Sequence, residues 1–299
     1  MRRPGAGHDV LVIGGGIAGL TSAWHAAENG LNVGLIERGL SGGLVANVGR
    51  LDGFPSTTAH GGAELGAVLE QAIRDRGGRI YNENVTGLEL GGRDLRVRTE
   101  AGERKAARLV LAMGASLRPL AVAGFETFWG RGVSQCAFCD AGLYRGRRAV
   151  VVGGGNAALQ EALHLSEHAE AVVLVHRGRR LRASPRYVAQ AAERENLSFR
   201  WNSEIVEILG ESGERGGVSG VRLRHNDSQE QTTLDCDGVF AFIGLKPNSA
   251  LLADQLELDA HGHVRVDEQL RSSHDKVHAI GALRAGFNGT LTAAAADGA

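Results

Sequence analysis

The alternation of apolar and polar positions divides this chain into two stretches built on one plan. In HDVLVIGGGIAGLTSAWHAAENGLNVGLIER a β-rich run from Val10 to Ile13 meets glycines at positions 14, 16 and 19. Leu20, Ala23, Trp24 and Ala27 then recur at i, i+3, i+4 and i+7, the period of a helix with one apolar face. Gly30 predicts its stop, and Val33 to Ile36 predicts a second strand ending at Glu37. Leu65, Val68, Leu69, Ala72 and Ile73 predict another amphipathic helix, closed by Gly77 and Gly78. The segments VTGLEL and LRVRTE, separated by GGRD, read as antiparallel strands, and RLVLAMGA, Arg108 to Ala115, as a buried strand.

The second stretch, RRAVVVGGGNAALQEALHLSEHAEAVVLVHRGRRLR, repeats the order of strand, glycine turn, helix and strand. Its turn carries Gly153, Gly155 and Ala158, and Ala158, Leu159, Ala162 and Leu165 form the apolar helical face. The β-rich segments VSGVRLRHN and TTLDCDGVFAFIG follow. Glycines at these spacings let backbone approach a pyrophosphate while a helix N-terminus faces its charge. The repeat therefore predicts an α/β protein with two Rossmann-like dinucleotide-binding domains and one dinucleotide in each.

The two units differ at the end of their second strand. Glu37 can accept from a free ribose 2'-hydroxyl, as on FAD or NAD. The second unit has His176 there, with Arg177, Arg179, Arg180 and Arg182 around it. Guanidinium groups pair with a 2'-phosphate that an acid would repel, so this site is expected to prefer NADP(H).

Composition adds limits. A chain of 299 residues is long enough for two medium cores. With 33 basic against 34 acidic residues, no broad positive surface is expected for nucleic acid or anionic lipid. The opening MRRPGAGHDV lacks the pattern of a signal peptide, and no apolar run reaches the length of a membrane span. Three cysteines cannot form the disulfide framework of a secreted protein, so a cytoplasmic location is expected.

Two of those cysteines lie in SQCAFCD, Ser134 to Asp140. A metal clip, a structural staple and a redox-active disulfide are the available readings. Structural zinc would want a second pair, but the only other thiol is Cys236 and the histidines show no completing spacing, so no metal site is expected. The position of the pair, just ahead of the second nucleotide unit, favours redox chemistry. Asp140 is the nearest acid that could return a proton to a leaving thiolate; a turn-stabilising role is the alternative. Cys236 reads as a partly buried strand thiol.

The runs GRGVSQCAFCDAGLYRG, AVVVGGGNAALQEA, VHRGRRLRAS and AFIGLKPN, in that order, resemble the low-molecular-weight thioredoxin reductases and their flavoprotein relatives. The resemblance covers almost the whole chain, and CxxCD placed ahead of GGGNxA is its most specific element. It implies domains of the three-layer ββα type, the second inserted into the first. The FAD domain would be residues 1–117 with 246–299, and the NADPH domain 118–245 would carry the disulfide. Cofactor contacts are implied at Gly14, Gly16, Ile17, Ala18, Gly19, Glu37, Arg38, Gly43, Gly114, Gly281 and Ala282 for FAD. For NADPH they are implied at Gly153, Gly155, Asn156, Ala157, Ala158, His176, Arg177 and Arg182. Cys136, Cys139 and Asp140 would be catalytic, with Cys139 nearer the flavin and Asp140 the proton donor. The implied activity is electron transfer from NADPH through FAD to the disulfide and on to thioredoxin or a similar small redox protein. A homodimer, and rotation of one domain against the other about 115–119 and 244–247, are also implied.

The sequence departs from that family at several points. HAIGALRAGFNG places Ala282 where an aspartate would bind the flavin's ribitol, and Asn288 and Gly289 stand in the region of an Arg-Gln pair. Leu44 replaces a glutamine, Met113 a threonine, and Gly178 an arginine for which Arg179 or Arg180 could compensate. The ending TAAAADGA reads as part of the family's final helix. Ala282 motivates an alternative, a nucleotide-binding pseudoenzyme with weakened FAD binding. A flavin-dependent dithiol oxidase using oxygen is a further alternative, against which the second fingerprint argues.

Overall fold

The computed structural model describes residues 7–51, 54, 59–92, 94–211, 213 and 216–299; the expectation placed on the first six residues lies outside these. The chain divides into two compact units. Met1–Ser116 and Lys246–Ala299 form one, and Leu117–Leu245 form the other.

In chain order the first unit comprises β1 (His8–Ile13), α1 (Ile17–Glu28), β2 (Val33–Glu37), α2 (Gly62–Asp75), β3 (Arg79–Asn82), β4 (Val85–Glu89), β5 (Leu95–Thr99) and β6 (Gly102–Leu111). Strand β7 (Ala115–Leu117) leads into the second unit. That unit comprises β8 (Val133–Ser134), α3 (Ala137–Asp140), β9 (Arg148–Gly153), α4 (Asn156–Ser166), β10 (Ala171–His176), α5 (Pro185–Ala192), β11 (Leu197–Trp201), β12 (Ser203–Gly210), β13 (Val218–His225), β14 (Gln231–Asp235) and β15 (Gly238–Phe242). After β16 (Leu245–Pro247), strand β17 (Val277–Ala279) and helix α6 (Leu291–Gly298) complete the first unit.

The first unit's sheet runs β3-β2-β1-β6-β5-β4, with β17 also paired to β6. Its β3-β2-β1-β6 part and the β17 ladder are parallel, whereas β6-β5-β4 is an antiparallel meander. Successive side chains on a strand face opposite ways, so β1 serves two cores. Leu11 and Ile13 pack with Leu88, Leu95 and Val97 of the meander side. Val12 packs with Leu20 and Ala23 of α1. Helices, parallel sheet and meander thus form three layers.

The inserted unit repeats the scheme with a parallel sheet β11-β10-β9-β15-β8 and an antiparallel sheet β12-β13-β14. In β9, Val151 packs against the α4 stripe of Ala158, Leu159, Ala162 and Leu165, while Val150 and Val152 pack with Ile205, Val221 and Leu223. Both units are Rossmann-like.

Three sequence expectations change. Val68 is 54% exposed, so the buried stripe of α2 is narrower than its periodicity implied. The strand expected over 108–115 begins at Gly102 and ends at Leu111, because the chain turns at Gly114 with φ +63°. Cys236 follows β14 instead of lying in it and is fully buried, with 4% exposure.

Candidate active site

The first unit carries one glycine cradle, and the inserted unit carries a second cradle and the disulfide turn. In the first cradle Gly14 has φ +105°, and a Cβ there would lie 2.3 Å from the Ala112 carbonyl oxygen. A Cβ on Gly19 would lie 1.9 Å from the oxygen of Gly14, so neither position admits a side chain. Gly16 is different, since a Cβ there would meet nothing within 4 Å. It is also the N-cap of α1, with no side-chain hydrogen bond. The amides that begin at Ile17 and Ala18 therefore offer an open, positively polarised helix end of the kind that binds phosphate. Gly43, at φ +60°, closes against Gly16: a Cβ on it would lie 3.1 Å from the Gly16 Cα.

Glu37 borders this cradle. Its Oε2 accepts from the Gly15 amide at 2.6 Å and its Oε1 from the Gly39 amide at 2.8 Å. A carboxylate offers about four acceptor sites, so capacity remains for a ribose hydroxyl. Glu37 and Arg38 line a cleft of 260 Å³ together with Gly14, Val85 and Met113. Beside it the Gly114 carbonyl accepts from the Asn248 amide at 3.0 Å, and Asn248 Nδ2 donates to the Met113 carbonyl at 2.8 Å. The apolar walls and the acid fit an adenosine end, and the open helix end fits a pyrophosphate.

In the second cradle a Cβ on Gly153 would lie 2.5 Å from the Phe242 oxygen, whereas one on Gly155 would meet nothing within 4 Å. Helix α4 starts here without a side-chain cap. Asn156 and Ala157 are exposed at its first turn, and Ala158 is buried beneath. The basic loop folds back over the cradle through the Arg182 amide to the Gly154 carbonyl at 2.7 Å and the Ser184 amide to Asn156 Oδ1 at 2.7 Å. His176 shapes this loop: its ring occupies the space a Cβ on Gly154 would need, and its Nε2 lies 3.0 Å from the Arg180 carbonyl. Arg179 is ion-paired with Asp227. Among the described residues, the exposed guanidinium groups of Arg177, Arg180 and Arg182 have no ion-pair or hydrogen-bond partner. Of the two arginines that could compensate for Gly178, Arg180 is the free one.

Cys136 and Cys139 are joined as a disulfide with 5.3 Å between their Cα atoms. The single turn α3 holds them: Cys136 is the N-cap, its Sγ accepting from the Cys139 amide at 3.2 Å, and its own amide donates to Ser134 Oγ at 3.0 Å. Cys139 is exposed and Cys136 half-buried. The Asp140 side chain is half-buried and makes no hydrogen bond among the described residues. Cys236 is separate; burial pushes its thiol up to about 12, which leaves it unreactive at neutral pH.

Beneath the disulfide lies an acid that periodicity alone did not single out. Glu161, on the inner side of α4, accepts from the Ala137 amide at 2.9 Å, and the Phe138 amide also bonds to it. Burial pushes its carboxyl up to about 7, against the pull of those two amides. The available signal was an acid three residues after Ala158 and one before Ala162, inside the apolar stripe.

The turn Gly281–Leu283 abuts the first turn of α1, since a Cβ on Gly281 would lie 2.9 Å from the Ala18 Cβ. Ala282 brings no charge to it. Asp297 of α6 instead accepts from the Gly281 amide at 2.8 Å and from Arg284 at 2.6 and 2.7 Å. This acid braces the turn from behind, with both oxygens engaged; it does not restore a carboxylate at position 282.

Comparison with known proteins agrees with this arrangement. The family model described as pyridine nucleotide-disulphide oxidoreductase matches residues 8–298. A thioredoxin reductase of Mycolicibacterium smegmatis is 38% identical over 92% of this chain and 88% of its own. One of Listeria monocytogenes is 31% identical over 97% and 90%. The crystal structure of a Lactococcus lactis thioredoxin reductase superposes with a TM-score of 0.93 at 30% identity, covering 97% of this chain and 95% of that one. The fold, the disulfide turn and these matches lead to one assignment: the chain belongs to the pyridine nucleotide-disulphide oxidoreductase family, as a flavoprotein disulfide reductase that depends on flavin and a pyridine nucleotide.

Proposed function

We propose that this enzyme draws electrons from NADPH, passes them through FAD to the Cys136–Cys139 disulfide, and delivers them to thioredoxin or a thioredoxin-like protein. The observation that carries the reading is the arrangement of the inserted unit. It holds both an open glycine cradle flanked by unpaired arginines and a disulfide with one exposed cysteine. FAD, when bound, supplies two-electron transfer between a nicotinamide and a disulfide.

The chain's residues do the rest. The amides starting at Ile17 and Ala18, with Glu37, hold the dinucleotide of the first unit. Those starting at Asn156 and Ala157 hold the pyrophosphate of the second, and Arg177, Arg180 and Arg182 hold the 2'-phosphate that separates NADPH from NADH. Reduction adds two electrons and two protons to the disulfide. One thiolate then attacks the partner's disulfide to form a mixed disulfide, and the second thiol displaces the reduced partner, restoring Cys136–Cys139. Asp140, unbonded and next to Cys139, is the group proposed to return the proton to the leaving thiolate.

Ala282 favours a second reading, a nucleotide-binding relative with weak flavin retention. An anaerobic visible spectrum, with FAD added if needed, separates the two. Bleaching of a bound flavin by one equivalent of NADPH, and more slowly by NADH, supports the reductase; protein that stays colourless with added FAD overturns it.

A further inference from the structure

The sequence HLSEH, residues 164–168, closes α4 in the inserted unit. Helix α4 ends at Ser166, but the chain keeps turning: the Glu167 amide donates to the His164 carbonyl at 3.2 Å and the His168 amide to the Leu165 carbonyl at 3.0 Å. Residues at i, i+3 and i+4 therefore stay on one face. A nitrogen of each histidine and a carboxylate oxygen of Glu167 lie within 4.8 Å of one another. His164 Nδ1 is 3.6 Å from Glu167 Oε2, and the two imidazole rings stand edge to face at 5.3 Å.

These distances suit one ion. Bonds of about 2.0 to 2.2 Å from a first-row transition metal to imidazole nitrogen and carboxylate oxygen place ligand atoms roughly 3.3 to 3.6 Å apart at a tetrahedral centre. The His164–Glu167 pair, at 3.6 Å, stands at the upper end of that range, and all three ligand atoms lie within 4.8 Å of one another, a gap that a small side-chain rotation spans. The ligands are also held. Arg194 lies 3.5 Å from Glu167 Oε1, on the oxygen other than the one facing His164. The His164 ring rests on Phe138, centroid to centroid 5.5 Å, which limits its rotation. Two imidazoles and one carboxylate form a donor set for zinc, nickel or copper(II), not for calcium or magnesium. The side chains of His164 and Glu167 are 30% and 52% exposed, so the open side of the cluster faces water.

We propose that His164, Glu167 and His168 form a site for a divalent transition metal, with the remaining coordination positions filled by water. The site is independent of Cys136 and Cys139 as ligands. An ion held there fixes the His164 ring against Phe138, the residue that precedes Cys139 in the disulfide turn.

The test uses tag-free, oxidised protein, in which the disulfide removes both thiols as competing ligands. Titration with Zn²⁺ is expected to show one saturable equivalent per chain. Affinity should fall by at least tenfold in His164→Gln and in His168→Gln, and saturable binding should vanish in the double variant. Cu²⁺ added to the wild type at one equivalent should give an electron paramagnetic resonance spectrum with coupling to two imidazole nitrogens, a readout that requires no variant to fold. Absence of saturable Zn²⁺ binding, an unchanged isotherm in a folded double variant, or coupling to fewer than two nitrogens would overturn the proposal.

Discussion

The carboxylate of Glu161 sits 2.9 Å from the amide of Ala137, the first residue between the two cysteines. It is thereby a brace for the disulfide turn and, once ionised, a partly buried negative charge against the backbone of that turn. Like charges in a partly desolvated place raise one another's pKa. Glu161→Gln keeps an acceptor oxygen for the amide and removes the charge. In the reduced variant, alkylation of the reactive thiol at pH 8, where Glu161 of the wild type is ionised, is expected to be about three to ten times faster than in wild type. An unchanged rate and an unchanged pH profile would restrict Glu161 to the brace alone.

The same residue sets a pH dependence of stability. Its folded pKa of about 7 lies above the ordinary 4.5, so the folded state holds the proton more tightly than the unfolded chain. Its contribution is therefore fully present below about pH 4.5 and is lost as pH rises toward 7, for a total of roughly a few kcal/mol. Glu161→Gln should flatten that part of the profile, melting several degrees above wild type at pH 8 relative to the difference at pH 5. Thermal unfolding of both proteins across this range checks it.

Gly153 and Gly155 are two residues apart and predict opposite failures. Alanine at Gly153 drives a Cβ into the Phe242 carbonyl and should lower the melting temperature with or without nucleotide. Alanine at Gly155 meets open space and should leave the apoprotein's melting unchanged, while its methyl occupies the approach of the pyrophosphate. NADPH affinity is then expected to fall at least tenfold, measurable by quenching of intrinsic fluorescence.

Arg177, Arg180 and Arg182 are exposed and have no partner among the described residues, so replacing them costs the fold little. Each Arg→Ala change at a guanidinium that reaches the 2'-phosphate removes about 1.5 to 3 kcal/mol, or roughly tenfold to a hundredfold in KM for NADPH. KM for NADH should stay within about twofold. Parallel losses for both nucleotides would move the arginines away from the phosphate.

Asp297→Ala leaves Arg284 without its carboxylate in a place where only 17% of its side chain is exposed, and leaves the Gly281 amide without its acceptor. Removing one partner of such a pair costs about 3 kcal/mol. A lowered melting temperature and faster flavin loss on dilution are expected, because the turn that presses on Ala18 loosens.

Much of this arrangement is legible in the residues, and what is not has an identifiable cause. Glycine spacing exposes both cradles because only glycine tolerates the contacts at Gly14, Gly19 and Gly153. Helical period exposes the α4 stripe, but it cannot say that Glu161, next to that stripe, points beneath the disulfide, since that depends on where α3 is laid across α4. Asp297 is invisible for a similar reason: its partners are Gly281 and Arg284, brought to it by the turn between β17 and α6. His164 and His168 stand four apart, a spacing that puts both on one helix face, but Glu167 joins them only because the chain keeps turning beyond Ser166. Arg179 looked equivalent to its neighbours until Asp227, on a distant hairpin, claimed it.

The insertion of the second unit governs how the first can be made on the ribosome. Leu252, Val264, Val277 and Leu283 complete a core whose other half, Leu11, Leu95 and Leu109, is synthesised first. Between these segments the inserted unit must emerge, and its core clusters are drawn from residues 117–245 alone. During synthesis the inserted unit can therefore close on itself while Leu11, Leu95 and Leu109 still lack the C-terminal half of their core. Apolar surfaces left open in this way are where nascent chains aggregate or recruit chaperones. Destabilising changes in β17 or α6 are accordingly expected to reduce the yield of soluble protein more than equal changes within the inserted unit, because they prolong that exposure.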